Sequence, residues 1–338
     1  NIKNFTATTG RVNLKDGDFV GIDVEKGNIV IGPKGMDGSN ANYVELIAKT
    51  LELRGNVVTN DLKVVAGSNK IDKKGNITGK NNASNNIAID GRELGGMYAG
   101  VIKIISTDKG AGVNSDAFIV SKNSKLEITA DGKIKVNKVQ GKGIDIKGKE
   151  YEQKDLAYSD EGISINADKI KLSGTGTQAN KQINLNGAVE NSATIYTKEG
   201  LKTKDLTNTG TVQAINKIEI GGNLTNKGEI LTNGNLTAKE TTSTKKLIAK
   251  DGISVDKLEN SGIVATDKKL DIKGNLINSG EVQAIDNIAV LENVNNSGEV
   301  LTNSSFSAKD VISTKKLVAK NGITTNKLEN KGIVATAK

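Results

Sequence analysis

The stretch "KLDIKGNLINSGEVQA", residues 269–284, determines the fold of this chain. Its apolar residues Leu270, Ile272, Leu276, Val282 and Ala284 fall on even positions, and the Asn and Gly of its Asn-Ser-Gly triplet share that parity. A period of two is typical of β-strands, whereas an amphipathic helix repeats every 3.6 residues. The stretch therefore predicts very short strands separated by turns that contain Gly and Asn.

The same stretch belongs to a longer repeat, in which each segment returns 70 positions further along the chain. "LTNTGTVQAI" at 206–215 returns as "LINSGEVQAI" at 276–285, and "TKKLIAKDGI" at 244–253 returns as "TKKLVAKNGI" at 314–323. Self-similarity at a fixed period is the signature of repeat architectures, in which each unit packs on its neighbours. The second half of the chain is therefore expected to be a repeat domain.

The triplet Asn-x-Gly shows a shorter period inside this repeat. Its glycines are Gly210, Gly228, Gly262, Gly280, Gly298 and Gly332. The successive gaps in position are 18, 34, 18, 18 and 34, and a gap of 34 equals two steps of 17. Four coils, each 17 or 18 positions long, thus fill one 70-residue repeat. The segment "STKKLIAK" at 243–250 fills the coil that lacks the triplet.

Coils of this length are too short for βαβ units, which need about 30 residues each. We predict an all-β fold, a right-handed parallel β-helix (solenoid) whose coils stack at about 4.8 Å. Inward Ile, Val and Leu form columns, with Ile220 and Ile272 inside and Asp271 on the opposite face. Gly is expected to supply the positive φ of tight turns. Equivalent Asn residues in successive coils are expected to form amide ladders.

Composition excludes much chemistry. The 338 residues include no His and no Cys, and aromatic residues make up 3%. A Ser-His-Asp triad, a Cys nucleophile and disulfides are therefore impossible. The net charge of +8 divides into +4 over residues 1–137 and +4 over the rest. Because the charge is spread evenly and no aromatic residues are interleaved with it, we expect no nucleic-acid partner. No apolar stretch approaches the roughly 20 residues of a membrane span, so no stable membrane insertion is expected.

Residues 1–137 lack the short repeat of the second half but keep alternating apolar positions. "YVELIAKTLEL" at 43–53 fits either strands or one amphipathic helix. "FTATTGR" at 5–11, "GNIVIGPKGMDGSNANYVELIAKTLELRGNVVTNDLKVVAGSNKID" at 27–72 and "LGGMYAGVIKIISTDKGAGV" at 94–113 follow in order. Together they closely resemble the secretion domain of filamentous-haemagglutinin-like exoproteins, the secreted partners of two-partner secretion systems. The Asn-x-Gly coils beyond residue 200 are similar to the haemagglutinin repeats that follow that domain.

This resemblance implies a domain division, a pathway and partners. Residues 1–137 are expected to be a two-partner-secretion (haemagglutination-activity-type) domain, N-terminally truncated because the family's first Asn-Pro-Asn-Gly-type motif would lie upstream of Asn1. Residues 138–338 are expected to be the β-helix shaft. The implied partners are an outer-membrane β-barrel transporter and a receptor on a host cell or a neighbouring bacterium. The implied location is secreted or on the cell surface of a Gram-negative-type bacterium, reached through the periplasm.

The resemblance implies a non-enzymatic segment of an adhesin that contributes to virulence. One alternative is the stalk of a contact-dependent growth-inhibition toxin. Another is a pectate-lyase-like enzyme that degrades polysaccharides, because parallel β-helices also host that chemistry. Such enzymes gather acidic and basic residues in one cleft, whereas here these residues are scattered along the coils.

Three short motifs suggest sites, but each has a structural interpretation. The glycine pair Gly95-Gly96 precedes "VIKII", so it predicts a turn into a buried strand; a phosphate cradle would need a following helix. "GTGTQA" at 174–179 matches a dinucleotide-binding template without the surrounding βαβ unit. "DGD" at 16–18, with Asp23 nearby, lacks the full spacing of a calcium loop. We therefore assign no catalytic, cofactor-binding or metal-binding residue and expect no cofactor.

Overall fold

A computed structural model describes residues 3–80, 87–91 and 96–337 of the chain. Every regular element in these residues is a β-strand, apart from turns and bends. The chain divides into two compact units, residues 1–179 and 180–338. Within each unit almost all strand pairs are parallel and join one coil to the next, so the predicted all-β parallel β-helix is confirmed.

The described residues of the first unit form 21 strands, numbered β1 to β21 in chain order. They are Asn4–Thr8, Arg11–Lys15, Asp18–Asp23, Asn28–Ile31, Met36–Gly38, Tyr43–Ala48, Thr50–Leu53, Val57–Thr59, Asp61–Ala66, Asn69–Asp72, Ile77–Lys80, Ile87–Gly91, Met97–Ala99, Val101–Ser106, Gly112–Ser121, Leu126–Ala130, Lys133–Gly141, Ile144–Lys147, Glu150–Ser159, Ile163–Leu172 and Gly176–Ala179. Strand β17 runs across the predicted domain boundary at residue 137, and that boundary stays a prediction.

The core of the first unit consists of columns of aliphatic side chains. Val44, Leu62, Ile102 and Leu126 stack through the parallel pairs β6–β9, β9–β14 and β14–β16. None of these four side chains is more than 2% exposed. Each coil therefore covers the apolar face of the next, as the period-two pattern predicts.

The helical alternative for residues 43–53 is wrong, because this stretch forms strands β6 and β7. Its long apolar run arises because both faces of β6 are covered. Leu46 points into the core, and Ile47 packs outside it under an additional sheet. That sheet is antiparallel, with strand order β11-β10-β3-β2, and it contributes Ile22 and Ile71 to the contact with Ile47.

The predicted turn at Gly95-Gly96 lies only partly in the described residues, because residues 92–95 fall outside them. The buried strand predicted after it is confirmed as β13 and β14. Ile102 and Ile104 of β14 are fully buried. The backbone after the glycines thus belongs to the solenoid wall.

Over residues 180–337, which the structure describes, the second unit forms 23 strands, β22 to β44. They are Ile183–Asn191, Thr194–Thr197, Gly200–Asn208, Thr211–Ala214, Lys217–Ile220, Leu224–Asn226, Glu229–Thr232, Leu236–Ser243, Lys246–Ala249, Ile253–Asn260, Ile263–Thr266, Leu270–Ile272, Leu276–Asn278, Glu281–Ala284, Ile288–Val290, Val294–Asn296, Glu299–Thr302, Ser305–Ser307, Asp310–Ser313, Lys316–Ala319, Gly322–Thr324, Lys327–Asn330 and Ile333–Ala335.

The register of the strands in this unit confirms the predicted coil length. Val212, Ile230, Leu247, Val264 and Val282 pair in succession, with steps of 18, 17, 17 and 18 along the chain. The coil without the Asn-x-Gly triplet contributes Leu247 to the same column. The parity prediction is also confirmed: the inward apolar side chains of the stretch at 269–284 are buried, as is Ile220, while Asp271 is partly exposed.

The predicted reason for the Asn-x-Gly glycines is wrong. None of them has a positive φ. Instead each glycine lies directly against the backbone of the preceding coil. A Cβ added at Gly280 would meet the carbonyl oxygen of Gly262 at well under 3.0 Å, and one added at Gly262 would meet that of Lys245 equally closely. Glycine is required because the coils approach closely, which is its second structural use.

The predicted amide ladder is confirmed. Asn260 Nδ2 donates to Asn278 Oδ1 at 2.9 Å, and Asn278 Nδ2 donates to Asn296 Oδ1 at 2.9 Å. In the coil after Asn296 the position is Ser313, whose hydroxyl accepts from Asn296 at 3.2 Å. The ladder is buried, so every amide must find its partners within the protein.

Candidate functional site

The acidic triplet at residues 16–18 forms the tip of the β2–β3 hairpin. Asp16 and Gly17 both have positive φ, 55° and 87°. Asp23 lies at the other end of β3, so the structure does not bring it to the triplet. Its carboxylate accepts a hydrogen bond from Arg11 at 3.1 Å, and hydrogen bonds from Asn13 and Arg11 lower the pKa of Asp23. The triplet is a hairpin turn in this structure.

The glycine motif at residues 174–179 forms a turn into a short strand. Gly174 and Gly176 have positive φ, and β21 follows at once. The Asp155 carboxylate accepts from the backbone N–H and the hydroxyl of Thr175. The turn is thus held by the protein itself, and a strand stands where a dinucleotide-binding motif would place a helix.

A buried ion pair, which sequence reasoning missed, anchors the additional sheet. Lys49 Nζ lies 2.5 Å from Asp108 Oδ2, and Asp108 is fully buried. Lys49 also donates to the hydroxyl of Ser68, whose backbone N–H donates to Asp108. Thr107 donates to the side chain of Asn69, where β10 leaves the solenoid. Burying a charge is costly unless it is paired and hydrogen-bonded, so this cluster fixes one geometry for the chain where it departs.

A second polar cluster lies under the turn between β10 and β11. Lys63 Nζ is 2.8 Å from Glu45 Oε1 and donates to the backbone oxygen of Gly75 at 2.7 Å. Burial, followed by the charge of Glu45, raises the pKa of Tyr43. Tyr43, Glu45 and Gly75 belong to the wall of a cleft of about 470 Å³, which Phe19 also lines.

The β2–β3 hairpin exposes apolar side chains beside this cleft. Val12 is 50% exposed, Leu14 63%, Phe19 42% and Val20 39%. A contiguous exposed apolar patch on an otherwise polar surface marks an interaction site more often than isolated apolar residues do. Among the described strands, the two outer members of the additional sheet, β2 and β11, each pair on one side only. Unpaired backbone groups of this kind can accept a strand from another chain.

The solenoid core of the first unit contains a third polar cluster. Tyr151 is fully buried, and its hydroxyl lies 3.4 Å from Gln153 Oε1. Gln153 donates to the backbone of Gly176 at 2.8 Å, and Thr177 donates to Gln153 at 3.0 Å. Burial raises the pKa of Tyr151. Since these groups satisfy one another inside the coil, we interpret the cluster as part of the core.

Comparison with known proteins places the first part of the chain in a family. Residues 1–136 match the family model described as the TPS secretion domain. No solved structure matches the chain significantly. Among the described residues there is no helical segment with the length and apolar character needed to cross a bilayer.

The similar curated proteins are large exoproteins. The chain is 36% identical over 144 residues to the "Toxin CdiA" of Yersinia pestis, covering 41% of this chain and 4% of that protein. It is 28% identical over 216 residues to the "tRNA nuclease CdiA" of Yersinia mollaretii, covering 59% of this chain and 7% of that protein. It is 34% identical over 138 residues to the "tRNA nuclease CdiA-2" of Burkholderia pseudomallei, covering 40% and 4%.

The chain thus spans less than a tenth of the length of these relatives. Two of their names include a nuclease activity, which describes those proteins and not this chain. What the likeness does carry is the secretion domain at residues 1–136. Residues 1–136 are therefore a TPS secretion domain, and the likeness supports a two-partner-secretion exoprotein, a secreted or cell-surface protein of Gram-negative bacteria.

Proposed function

We propose that this chain is the transporter-recognition domain and proximal shaft of a large secreted filamentous adhesin. The observation that carries the proposal is the order of its parts: a TPS secretion domain at residues 1–136 is followed by the regular coils of the second unit. In this proposal residues 1–137 direct export, and residues 138–338 form a shaft built on the 70-residue repeat.

The proposed partner in export is an outer-membrane β-barrel transporter that receives the unfolded chain from the periplasm. Two properties of the chain support this route. It contains no Cys, so no disulfide can lock it in the oxidising periplasm. Its coils pair with their neighbours, so folding can begin at the first coils to emerge and propagate along the repeat.

The exposed hairpin is the best candidate for a recognition surface in the secretion domain. Its apolar residues, defined by Val12, Leu14, Phe19 and Val20, adjoin the unpaired edge of β2. An apolar patch beside an open strand edge suits a partner that adds a strand and fills the patch with its own side chains. This surface forms only in the folded domain, so it would act after emergence or on a partly folded intermediate.

The proposed role of the shaft is structural and non-enzymatic. Charged residues on the outer faces of the shaft include neighbouring pairs that join successive coils. Lys273 Nζ lies 3.0 Å from Asp256, and Lys309 Nζ lies 3.3 Å from Glu292. A polysaccharide-degrading solenoid gathers such groups in one cleft, whereas pairs spread from coil to coil suit a soluble fibre surface. The receptor would be on a host cell or a neighbouring bacterium.

A second candidate is the stalk of a contact-dependent growth-inhibition toxin. The names of the similar proteins, which include "Toxin CdiA" and "tRNA nuclease CdiA", favour it. In that case the chain would still be the secretion domain and shaft, and the toxic activity would belong to a more distal domain. The sequence downstream in the same gene, together with a competition assay against a related strain, separates the two candidates.

Export is the direct test of the proposal. The chain would be fused to a cleavable signal peptide and expressed in Escherichia coli with the transporter encoded beside its gene. We expect the chain in the medium only when the transporter is present. The matched control lacks residues 1–136 and should remain in the periplasm. Equal export of the control, or export without the transporter, would contradict the proposed role of the domain.

A further inference from the structure

One sheet of the second unit has an unusual outer surface. Eight of its parallel strands, β25, β28, β30, β32, β35, β38, β41 and β44, are stacked one per coil, and β23 precedes them in the same sheet. We call these eight strands the pairing sheet. In the seven strands from β25 to β41 the second and fourth residues point into the core, so the first and third residues form two columns on the outer surface. The three-residue strand β44 adds Ile333 and Ala335 to these columns.

The third-residue column is largely apolar. In chain order it contains Gln213, Leu231, Ile248, Ala265, Gln283, Leu301, Val318 and Ala335. Its large aliphatic members are partly exposed. The matching outer column of the sheet that follows along the chain is polar except for one alanine, with Lys202, Glu219, Thr237, Ser254, Asp271, Ala289, Ser307 and Thr324. A solvated sheet face normally alternates apolar inside and polar outside, so the pairing sheet departs from that rule.

The first-residue column carries charges in a defined order. In chain order it contains Thr211, Glu229, Lys246, Ile263, Glu281, Glu299, Lys316 and Ile333. Lys316 lies 3.4 Å from Glu299 in the preceding coil of the same chain. The neighbouring third-residue column, described in full over these eight strands, contains no charged residue. The surface is therefore a charged stripe running beside an apolar stripe.

We propose that the pairing sheet binds the same sheet of a second copy, face to face, with the two solenoid axes antiparallel. A two-fold axis parallel to the strands, between the coils of Ile263 and Glu281, brings equivalent columns together. Ile248 then faces Leu301 of the other copy, and Leu231 faces Val318. A two-fold interface is self-complementary, so each of these contacts occurs twice.

Charge complementarity supports this arrangement. In the same register Lys246 faces Glu299 of the other copy, and Glu229 faces Lys316. The uncharged Thr211 faces Ile333, and Ile263 faces Glu281, so no like charges meet. Complementary charges across an interface fix its register and suppress wrong alignments.

Shifting the register by one coil removes this complementarity. A shift in one direction places Glu229 opposite Glu299, and a shift in the other places Lys246 opposite Lys316. Parallel solenoid axes are also disfavoured, because the charged column would then face the apolar column, with Glu229 against Leu231. The antiparallel register thus pairs opposite charges and apolar side chains over the eight strands from β25 to β44, and leaves β23 outside the contact.

The size of the sheet indicates a weak contact. Eight coils at about 4.8 Å and strands of four residues give a face of about 38 Å by about 13 Å, or roughly 500 Å² per copy. Two copies would bury roughly 1,000 Å², near the lower limit for specific protein interfaces. Pairing should therefore depend on protein concentration in the isolated chain and strengthen where repeats are brought together.

Crosslinking through single introduced cysteines tests the orientation, since the chain has no Cys of its own. Ala265→Cys lies one coil from its symmetry mate, so a short bismaleimide should link two copies. Val318→Cys lies five coils, about 24 Å along the axis, from its mate and should not link to itself. A mixture of Leu231→Cys and Val318→Cys chains should link. Equal self-linking of Ala265→Cys and Val318→Cys would overturn the antiparallel orientation.

Sedimentation of the full 338-residue chain over a range of concentrations tests pairing itself. The double substitution Lys246→Glu and Lys316→Glu should weaken pairing, raising the dissociation constant (Kd) of the dimer at least tenfold. Adding Glu229→Lys and Glu299→Lys exchanges all four charges and should restore pairing. The matched control, Lys202→Glu with Lys239→Glu, changes net charge equally outside the pairing sheet and should pair like the unmodified chain. A chain that stays monomeric throughout, or a four-site variant that does not recover, would overturn the proposal.

Discussion

Removing one amide from the buried ladder should weaken the shaft locally and by a predictable amount. Asn278 is 1% exposed, and its side chain is hydrogen-bonded through both the nitrogen and the oxygen. Its Nδ2 donates to Asn296 Oδ1 at 2.9 Å, to the Gly280 oxygen at 3.1 Å and to the Glu299 oxygen at 3.0 Å. Its Oδ1 accepts from Asn260 Nδ2 at 2.9 Å and from the Gly280 N–H at 3.2 Å.

The expected loss follows from these contacts. The two Nδ2 hydrogens serve three acceptors, so the side chain contributes about four independent hydrogen bonds at about 1 kcal/mol each. Asn278→Ala should therefore lower the free energy of unfolding by about 3–4 kcal/mol. Asn278→Ser is the matched control, because Ser313 occupies the same position of the ladder and accepts from Asn296. We expect it to cost about half as much, since a hydroxyl keeps part of the network.

Hydrogen exchange is the appropriate assay, because coils that contact only their neighbours can open separately. The amide of Gly280 should exchange faster in Asn278→Ala than in Asn278→Ser. The amide of Val212, four coils away, should be unaffected at short times. Urea unfolding followed by circular dichroism gives the global value. If Asn278→Ala and Asn278→Ser lower the free energy of unfolding equally, and by less than about 1 kcal/mol, the hydrogen bonds of the ladder do not stabilise the shaft.

Three further substitutions test the packing of the second unit, each by thermal and urea unfolding. Gly280→Ala should lower the free energy of unfolding by about 1–3 kcal/mol, because its new Cβ would meet a carbonyl oxygen. Gly221→Ala is the control and should be nearly neutral, because the nearest atom to its new Cβ would be 3.8 Å away. Equal losses of stability in the two variants would refute close approach of the coils as the cause. Ile272→Lys should lower the free energy of unfolding by at least about 3 kcal/mol, because it buries an unpaired charge. Asp271→Lys, on the outer face, should lower it by less than about 1 kcal/mol. Similar losses in the two variants would contradict the assignment of Ile272 to the inside. Thr241→Val should stabilise by about 1 kcal/mol, because the buried Thr241 hydroxyl has no hydrogen-bond partner among the described residues, and a destabilised variant would show that it has one.

The sequence alone predicted the solenoid and most of its core in the second unit. The reason is that alternation along a strand and the spacing between coils are both written in the order of residues. Leu270, Ile272 and Leu276 could be assigned to the inside from parity alone, and the ladder at Asn278 followed from its repeat. No site residue was predicted, and the surfaces described for the hairpin and the pairing sheet came from the structure.

Only the tertiary structure decided the features that depend on distant segments. Lys49 and Asp108 lie far apart in the chain yet form one buried ion pair, and no local pattern marks either as buried. Ile47 looks like part of a helix until the additional sheet covers it. Gly280 looks like a turn residue until the preceding coil is seen against its Cα. Local periodicity is a property of the chain itself, whereas burial of a charge and close backbone approach are properties of which coil lies against which.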